Sequence, residues 1–307
     1  MNTILKSVLL SIGVLFLLYL FFQSRHDILF HLGRTNLTFM ALSLIVALAG
    51  NGVQSLLFRD LMKKYGVPLD GSCALRLFFY GQIAKYIPGR VWSVIMQRML
   101  IDQGGSLMAL VHANIDQMIF SICIMSLISL NFLAAAGEVT LLFGCTLVAA
   151  GMAVAMMKSR TMARVTQRMI RHFRAHETIA CQEYGFIDGG RITSYFVVNL
   201  ISALAAYYLL FYAVFGLGLR ESAFYISCLG LAWLAGAIAL VVPAGIGVRE
   251  GVFIALARYA ESELQTELLV SIAVIVRCWV ILQDLGGAAL IYFLTAWKSG
   301  CSSTPAS

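Results

Sequence analysis

The chain has 307 residues, of which 60% are hydrophobic and 12% charged, with a mean hydropathy of +0.86. That balance excludes an ordinary soluble domain, because several apolar runs approach the roughly 20 residues needed to cross about 30 Å of hydrocarbon. The formal charge of +7 falls mostly in loops between those runs, which points to anionic lipid and membrane topology rather than to nucleic acid.

Lys6 precedes an apolar run over residues 7–22 that continues into Gln23-Ser24-Arg25 with no small-x-small cleavage pattern, so it reads as a retained first span. Full spans are predicted at 4–22, 37–58, 106–130, 139–157, 191–216, 221–242 and 268–296. Two further pieces, 72–104 and 243–262, each combine an apolar half, a break and a charged half, and either re-enter or span. The fold class is therefore an all-α polytopic membrane protein with about 7–8 transmembrane helices and two Pro/Gly-broken segments. Halves of about 1–157 and 191–297 form one integral membrane unit over 1–300, joined by a basic loop at 158–190. Residues 301–307 read as a short disordered tail.

Residues 158–174 carry Lys158, Arg160, Arg164, Arg168, Arg171 and Arg174 and no acid, which makes this loop cytoplasmic by the positive-inside rule. Lys6 and the N-terminus are then cytoplasmic too, in a cell inner membrane. Arg59, Lys63 and Lys64 fall on the same side only if 72–89 enters and leaves by one face. Met162, Val165, Met169 and Phe173 form an apolar stripe in the loop that suits a helix lying on the inner leaflet. Seven cysteines are scattered singly, with no C-x-x-C or Cys/His ligand spacing, so neither a metal nor a disulfide framework is expected.

Two of the four prolines break apolar stretches in the same manner, in KYIPGRVW (85–92) and VPAGIGVRE (242–250), 243 − 88 = 155 positions apart. Matching interruptions in the two halves of a membrane chain are a pointer to a binding site. Gly89, Gly245 and Gly247 permit close backbone approach, helices starting near Val91 and Val248 aim their positive ends at an anion, and Arg90 and Arg249 offer bidentate contacts. With Lys85, Pro88, Pro243 and Glu250 they make up the candidate substrate-binding set. Proline kinks also arise for packing alone, and Glu250 either orients Arg249 or caps the following helix.

An unpaired charge at mid-bilayer costs roughly 2.5–3.5 kcal/mol, so the intramembrane polar residues need partners or an aqueous cavity. Asn51 and Gln54 lie three apart on one span, His112 and Asp116 four apart on another, and Arg277 and Asp284 seven apart on the last. Asn114, Asn199 and Gln283 are neutral company. Arg277 requires a counter-charge from Asp116, Asp284 or Glu250, and serves either as a helix-locking bridge or as a substrate contact. Asp60, Asp70 and Asp102 read as isolated loop acids.

The stretch 81–107, the acid at Asp116, the P-x-G-x-G-V-R-E element at 243–250 and the final span with Arg277 together resemble the lysylphosphatidylglycerol synthetase transmembrane region, also called the flippase-like domain or UPF0104 family. The resemblance covers nearly the whole chain in order and spacing. It implies a polytopic inner-membrane protein that moves a lipid or lipid-linked headgroup between leaflets. Pro88, Gly89 and Arg90 match the family's first motif, and Pro243, Gly245, Gly247, Arg249 and Glu250 the second. Two departures stand out: Asp116 is followed by Gln117 where the family often has Arg, which questions an internal ion pair, and Ala244 replaces a common Gly, a mild change. About ten residues follow the last span, with no soluble aminoacyl-transferase domain.

The leading expectation is a non-enzymatic translocase, or an accessory to one, for an anionic or polyprenyl-phosphate-linked lipid, without cofactor. Alternatives are an ion-coupled transporter of a small polar solute using His112 and Asp116 as a proton relay, and a non-catalytic membrane partner of a lipid or glycan synthase. No hydrolase or magnesium motif supports an intramembrane transferase.

Overall fold

The computed structural model describes residues 15, 19, 21–87, 92–101, 107–135, 186–239, 243–260 and 266–295. The predicted spans 4–22 (apart from residues 15, 19, 21 and 22) and 139–157, the basic loop with its apolar stripe, and the tail 301–307 lie outside the described residues. Helices are α1 (Arg25–Gly33), α2 (Leu37–Lys64), α3 (Gly71–Ala84), α4 (Trp92–Leu100), α5 (Leu107–Ala135), α6 (Phe186–Phe215), α7 (Leu219–Ile238), α8 (Val248–Ala260) and α9 (Thr266–Thr295), with a 3₁₀ turn at Pro243–Gly245. Among the described residues there is no strand. Five helices are long and apolar enough to cross a membrane: Leu37–Lys64, Leu107–Leu130, Gly190–Phe215, Leu219–Ile238 and Thr266–Leu294.

Local chemistry sets the helix starts. Asn36 accepts from the Thr38 and Phe39 amides at the head of α2, and Asp70 accepts from Ser72 N at 3.1 Å at the head of α3, each satisfying orphan donors of a first turn. Asp70 is thus a cap rather than an isolated acid. The predicted span 37–58 runs on helically to Lys64, because Arg59, Asp60, Lys63 and Lys64 are good or tolerable helix formers and no Gly or Pro intervenes before Gly66.

α2 and α6 pack antiparallel along their length. Asn36 N donates to Ala213 O at 2.9 Å, Ser43 Oγ to Ala206 O at 2.7 Å, Gln54 Nε2 to Asn199 Oδ1 at 3.2 Å, and Tyr195 OH to Asp60 Oδ2 at 3.0 Å. Asp60 also lies 3.4 Å from both Arg59 and Arg191, so it joins two helices instead of sitting alone in a loop. A Cβ on Gly50 would meet Ser202 Cβ at 3.1 Å, the close approach that small residues allow between membrane helices. Ile45, Val197, Val198 and Ile201 point outward and exposed, an apolar face suited to lipid.

The first ambiguous piece resolves into a short antiparallel pair. α3 has 14 residues and α4 has 9, about 21 Å and 14 Å long, too short to cross about 30 Å of hydrocarbon. Ser93 Oγ donates to Gly81 O at 2.7 Å and Gln97 Nε2 to Leu77 O at 3.2 Å, while Asn114 Nδ2 donates to Gln97 Oε1 at 2.7 Å. These bonds stitch α3 to α4 and α4 to α5. Lys64 at the end of α2 touches Asp116 in the first third of α5, so the chain between them comes back to the end of the bundle it left.

The 3₁₀ turn and α8 form the second broken piece, after α7 in the predicted span 221–242. α8 lies back against α7, with Gly236 under the Arg249 side chain and Tyr225 6.3 Å from Phe253 between ring centroids. α9 then runs parallel to α2: Trp279 stacks by Tyr207 at 5.2 Å, and further along Gly287 abuts Phe79 and Leu48. α7 begins beside Phe215, and α8, folded back on it, leads into a helix that starts at that same end, opposite to the end used by α3 and α4.

Candidate functional site

The two broken pieces meet at Arg277 of α9. Its guanidinium lies 5.8 Å over the Tyr86 ring, next to the first break, and Nη1 donates to Ala244 O at 3.3 Å in the second. Nε sits 3.7 Å from Glu250 Oε1. The required counter-charge is therefore Glu250, because the two other acids are engaged elsewhere.

Asp284 is taken by Lys85 and Tyr86, which follow directly on α3. Lys85 Nζ is 2.9 Å from Asp284 Oδ2 and donates to Gln82 Oε1 at 2.9 Å, and Tyr86 OH donates to Asp284 Oδ2 at 2.6 Å. Asp116 accepts from Lys64 Nζ at 3.1 Å and from Tyr65 OH at 2.7 Å, all deeply buried. An internal ion pair on Asp116 exists without the Arg that Gln117 displaces. The sequence reading gave Lys64 only a topological role, and nothing in a helix-terminal Lys63-Lys64 pair marks which of the two is buried.

His112 shares a helix face with Asp116, yet its Nδ1 donates to Met108 O at 2.7 Å and its ring packs 4.9 Å from Tyr65. Both residues belong to this buried cluster at the end of α2. They are absent from the chamber described below.

At the second break, Glu250 Oε2 accepts from Gly247 N at 2.6 Å. It caps α8 from its third position and pairs with Arg277, and it makes no hydrogen bond or ion pair with Arg249. Gly245 and Gly247 have φ of 68° and 86°, a region open to glycine. A Cβ at Gly245 or Gly236 would meet the Arg249 side chain at 2.9 and 2.5 Å, so both glycines clear the path along which Arg249 lies. Ala244 also has positive φ, at 50°. That overturns the view of its substitution as mild, since a left-handed alanine costs about 1 kcal/mol. Ala244→Gly is expected to raise unfolding stability by up to about 1 kcal/mol, read as a higher Tm in detergent, the gain being trimmed by glycine's unfolded-state entropy.

A polar chamber of about 260 Å³ opens between α2, α3, α5, α6, α7 and α9, with room for on the order of ten or more waters. Asn51, Gln54, Gln82, Lys85, Asn199, Arg249, Gln283 and Asp284 supply much of its polar wall, and Tyr207, Trp233 and Trp279 its aromatic wall. Beside it lies an apolar slot of about 50 Å³ between α5, α7, α8 and α9, lined by residues such as Ile128, Leu229, Phe253 and Val276. Met125, Tyr207, Trp233, Arg249 and Val280 border both spaces.

Arg249 stands at the junction. Its guanidinium lies 5.4 Å over the Trp233 ring, its Nε is buried without a hydrogen-bond partner, and among the described residues it makes no ion pair. A half-buried cation in this condition needs an anion or water, since burial alone disfavours it.

Of the candidate residues, the structure gathers Asn51, Gln54, Lys85, Arg249 and Asp284 on one chamber. It sets Gly245, Gly247, Glu250 and Arg277 beside it, and His112 and Asp116 apart. Pro88, Gly89 and Arg90 lie outside the described residues. Gln82, Tyr207, Trp233 and Trp279 were missed. The i, i+4 spacing of Trp279 and Gln283 and the i, i+3 spacing of Gln82 and Lys85 would have revealed half of them. Among the described residues no group of three His, Cys, Asp or Glu is placed to hold a metal.

Long apolar helices, two broken pieces and a polar chamber bordered by a cation without an ion pair among the described residues define a polytopic α-helical membrane protein with a polar cavity between its helices. The profile of the lysylphosphatidylglycerol synthase TM region matches residues 4–282, and the chain belongs to that family. Comparison with curated proteins and with solved structures gave no match.

Proposed function

We propose that this protein binds the phosphate of an anionic lipid or lipid-linked headgroup on Arg249 and carries it between leaflets of the inner membrane. The observation that supports this most is the Arg249 guanidinium, with no ion pair among the described residues and its Nε without a hydrogen-bond partner, where a polar chamber joins an apolar slot. One side offers a place for a headgroup and the other for the start of a hydrocarbon chain, and a phosphate lies between those parts in any phospholipid. Family membership in a lipid-related membrane region agrees with this assignment.

In this reading α3–α4 is one re-entrant piece and α8 the other, folding back against α7. The α2/α6 end bearing Arg59, Lys63 and Arg191 faces the cytoplasm by the positive-inside rule, which also puts the N-terminus there. The solute-transporter alternative gains nothing from the geometry, since His112 and Asp116 are engaged with Met108, Lys64 and Tyr65 away from the chamber.

Reconstitution in vesicles containing a fluorescent short-chain anionic phospholipid tests the proposal through reduction of the label in the outer leaflet. The protein is expected to raise the exchange rate. Arg249→Ala is expected to abolish that increase while insertion and yield stay unchanged. No acceleration by the wild-type protein with any anionic phospholipid or polyprenyl-phosphate lipid would overturn it.

A further inference from the structure

The chamber's charge count and hydrogen-bonding groups restrict which headgroup fits, given the assignment of a lipid phosphate to Arg249. Lys85 and Asp284 neutralise each other at 2.9 Å, as do Arg277 and Glu250 at 3.7 Å. Among the described residues lining the chamber, the charged ones are Lys85, Asp284 and Arg249, so one positive charge is left over. A phosphodiester brings one negative charge and cancels it. A headgroup with an added ammonium would restore an excess positive charge next to Lys85 and Arg249, where like charges repel.

Past Arg249 the polar wall is built of neutral amides. Gln54 and Asn199 bond each other at 3.2 Å, and Asn199 Nδ2 also donates to Gly50 O, which holds both amides in place. Gln283, 8% exposed, and Trp279, 4% exposed, line the chamber. Gln283 Nε2 and Trp279 Nε1 are buried donors with no acceptor. Buried donors seek acceptors, and an ammonium has none to give. A hydroxyl accepts from such donors, donates onward to amide oxygens, and carries no charge. The exposed C–H face of a polyol also packs against the Tyr207, Trp233 and Trp279 rings.

We infer that the chamber recognises a neutral polyhydroxylated headgroup, a glycerol or a sugar, held on a singly charged phosphodiester, and that it excludes aminoacylated headgroups although the family is named for a lysylated lipid.

The full-length protein in neutral detergent is titrated with four probes, read by fluorescence of its tryptophans, two of which line the chamber. These are dioctanoyl-phosphatidylglycerol, its lysyl ester, dioctanoyl-phosphatidylmethanol, which keeps the phosphodiester and lacks hydroxyls, and water-soluble glycerophosphoglycerol. Phosphatidylglycerol is expected to bind about tenfold more tightly than phosphatidylmethanol and than the lysyl ester. Gln283→Leu should erase the advantage over phosphatidylmethanol while leaving phosphatidylmethanol affinity unchanged, which also shows that the variant is folded. Equal affinity of wild type for phosphatidylglycerol and either other lipid overturns the headgroup inference and leaves the lipid site standing. Absence of binding by all lipids overturns both. Glycerophosphoglycerol binding as tightly as phosphatidylglycerol supports the headgroup class and overturns the lipid source.

Discussion

Arg249→Ala is expected to lower affinity for an anionic lipid by about 30- to 1000-fold and to stop leaflet exchange, with no loss of folding stability. The first figure corresponds to the roughly 2–4 kcal/mol lost when one partner of a desolvated charge pair is truncated. The second expectation separates this residue from its neighbours. Arg249 Nε has no hydrogen-bond partner and the residue makes no ion pair among the described residues, so its removal leaves no carboxylate orphaned and relieves a half-buried charge without a counter-ion. Stability should stay level or rise, the pattern of a group kept for binding at the expense of the fold. Arg277→Ala should behave differently, since it strands Glu250 and releases Ala244 O. Titration of dioctanoyl-phosphatidylglycerol alongside thermal unfolding in detergent gives both readings, and retained affinity in Arg249→Ala would remove that residue from the site.

Lys64→Met is expected to destabilise the protein by about 3–5 kcal/mol, because it removes one member of an ion pair in a place with almost no solvent access. The pair is 2% exposed on each side chain at 3.1 Å, and Tyr65 supplies one further hydrogen bond to the same oxygen. Adding Asp116→Asn removes the other member's charge while keeping an acceptor for Tyr65, and should recover most of the loss. A non-additive cycle of that form, measured by denaturant unfolding in mixed micelles, identifies a paired structural charge. Wild-type stability in Lys64→Met would show that the pair contributes nothing. Because the cluster does not line the chamber, the rescued double variant should still bind anionic lipid.

Much of the architecture could be read before any coordinates. Apolar length alone marks the helices around 37–58, 106–130, 191–216, 221–242 and 268–296, since a bilayer imposes both a minimum span and an internally satisfied backbone. Proline, glycine and arginine in repeated order marked the second break. The boundaries shifted where polar residues remain helical, as at 59–64, because hydropathy senses the solvent and not the backbone. The shortness of α3 and α4 was foreshadowed by Arg76, Gln82 and Lys85, which make a poor lipid-facing span.

Pairing of the charges was not readable. Arg277 had three acids within reach of argument, and the sequence could not choose among Asp116, Asp284 and Glu250. Lys64 looked like a marker of the cytoplasmic side and is instead the partner of Asp116, while the neighbouring Lys63 is exposed. His112 and Asp116 share a helical face, but side-chain direction across helices, not spacing within one, decides what each touches.

The amino-acid sequence determined that this protein is a bundle of membrane-length helices with two breaks, because hydrophobic length and Pro/Gly placement act locally along the chain. Only the tertiary structure decided that Glu250 neutralises Arg277, that Asp284 neutralises Lys85, and that Arg249 is left over at the mouth of a chamber. Coulomb energy depends on distances between helices far apart in sequence, and those distances exist only once the helices have packed.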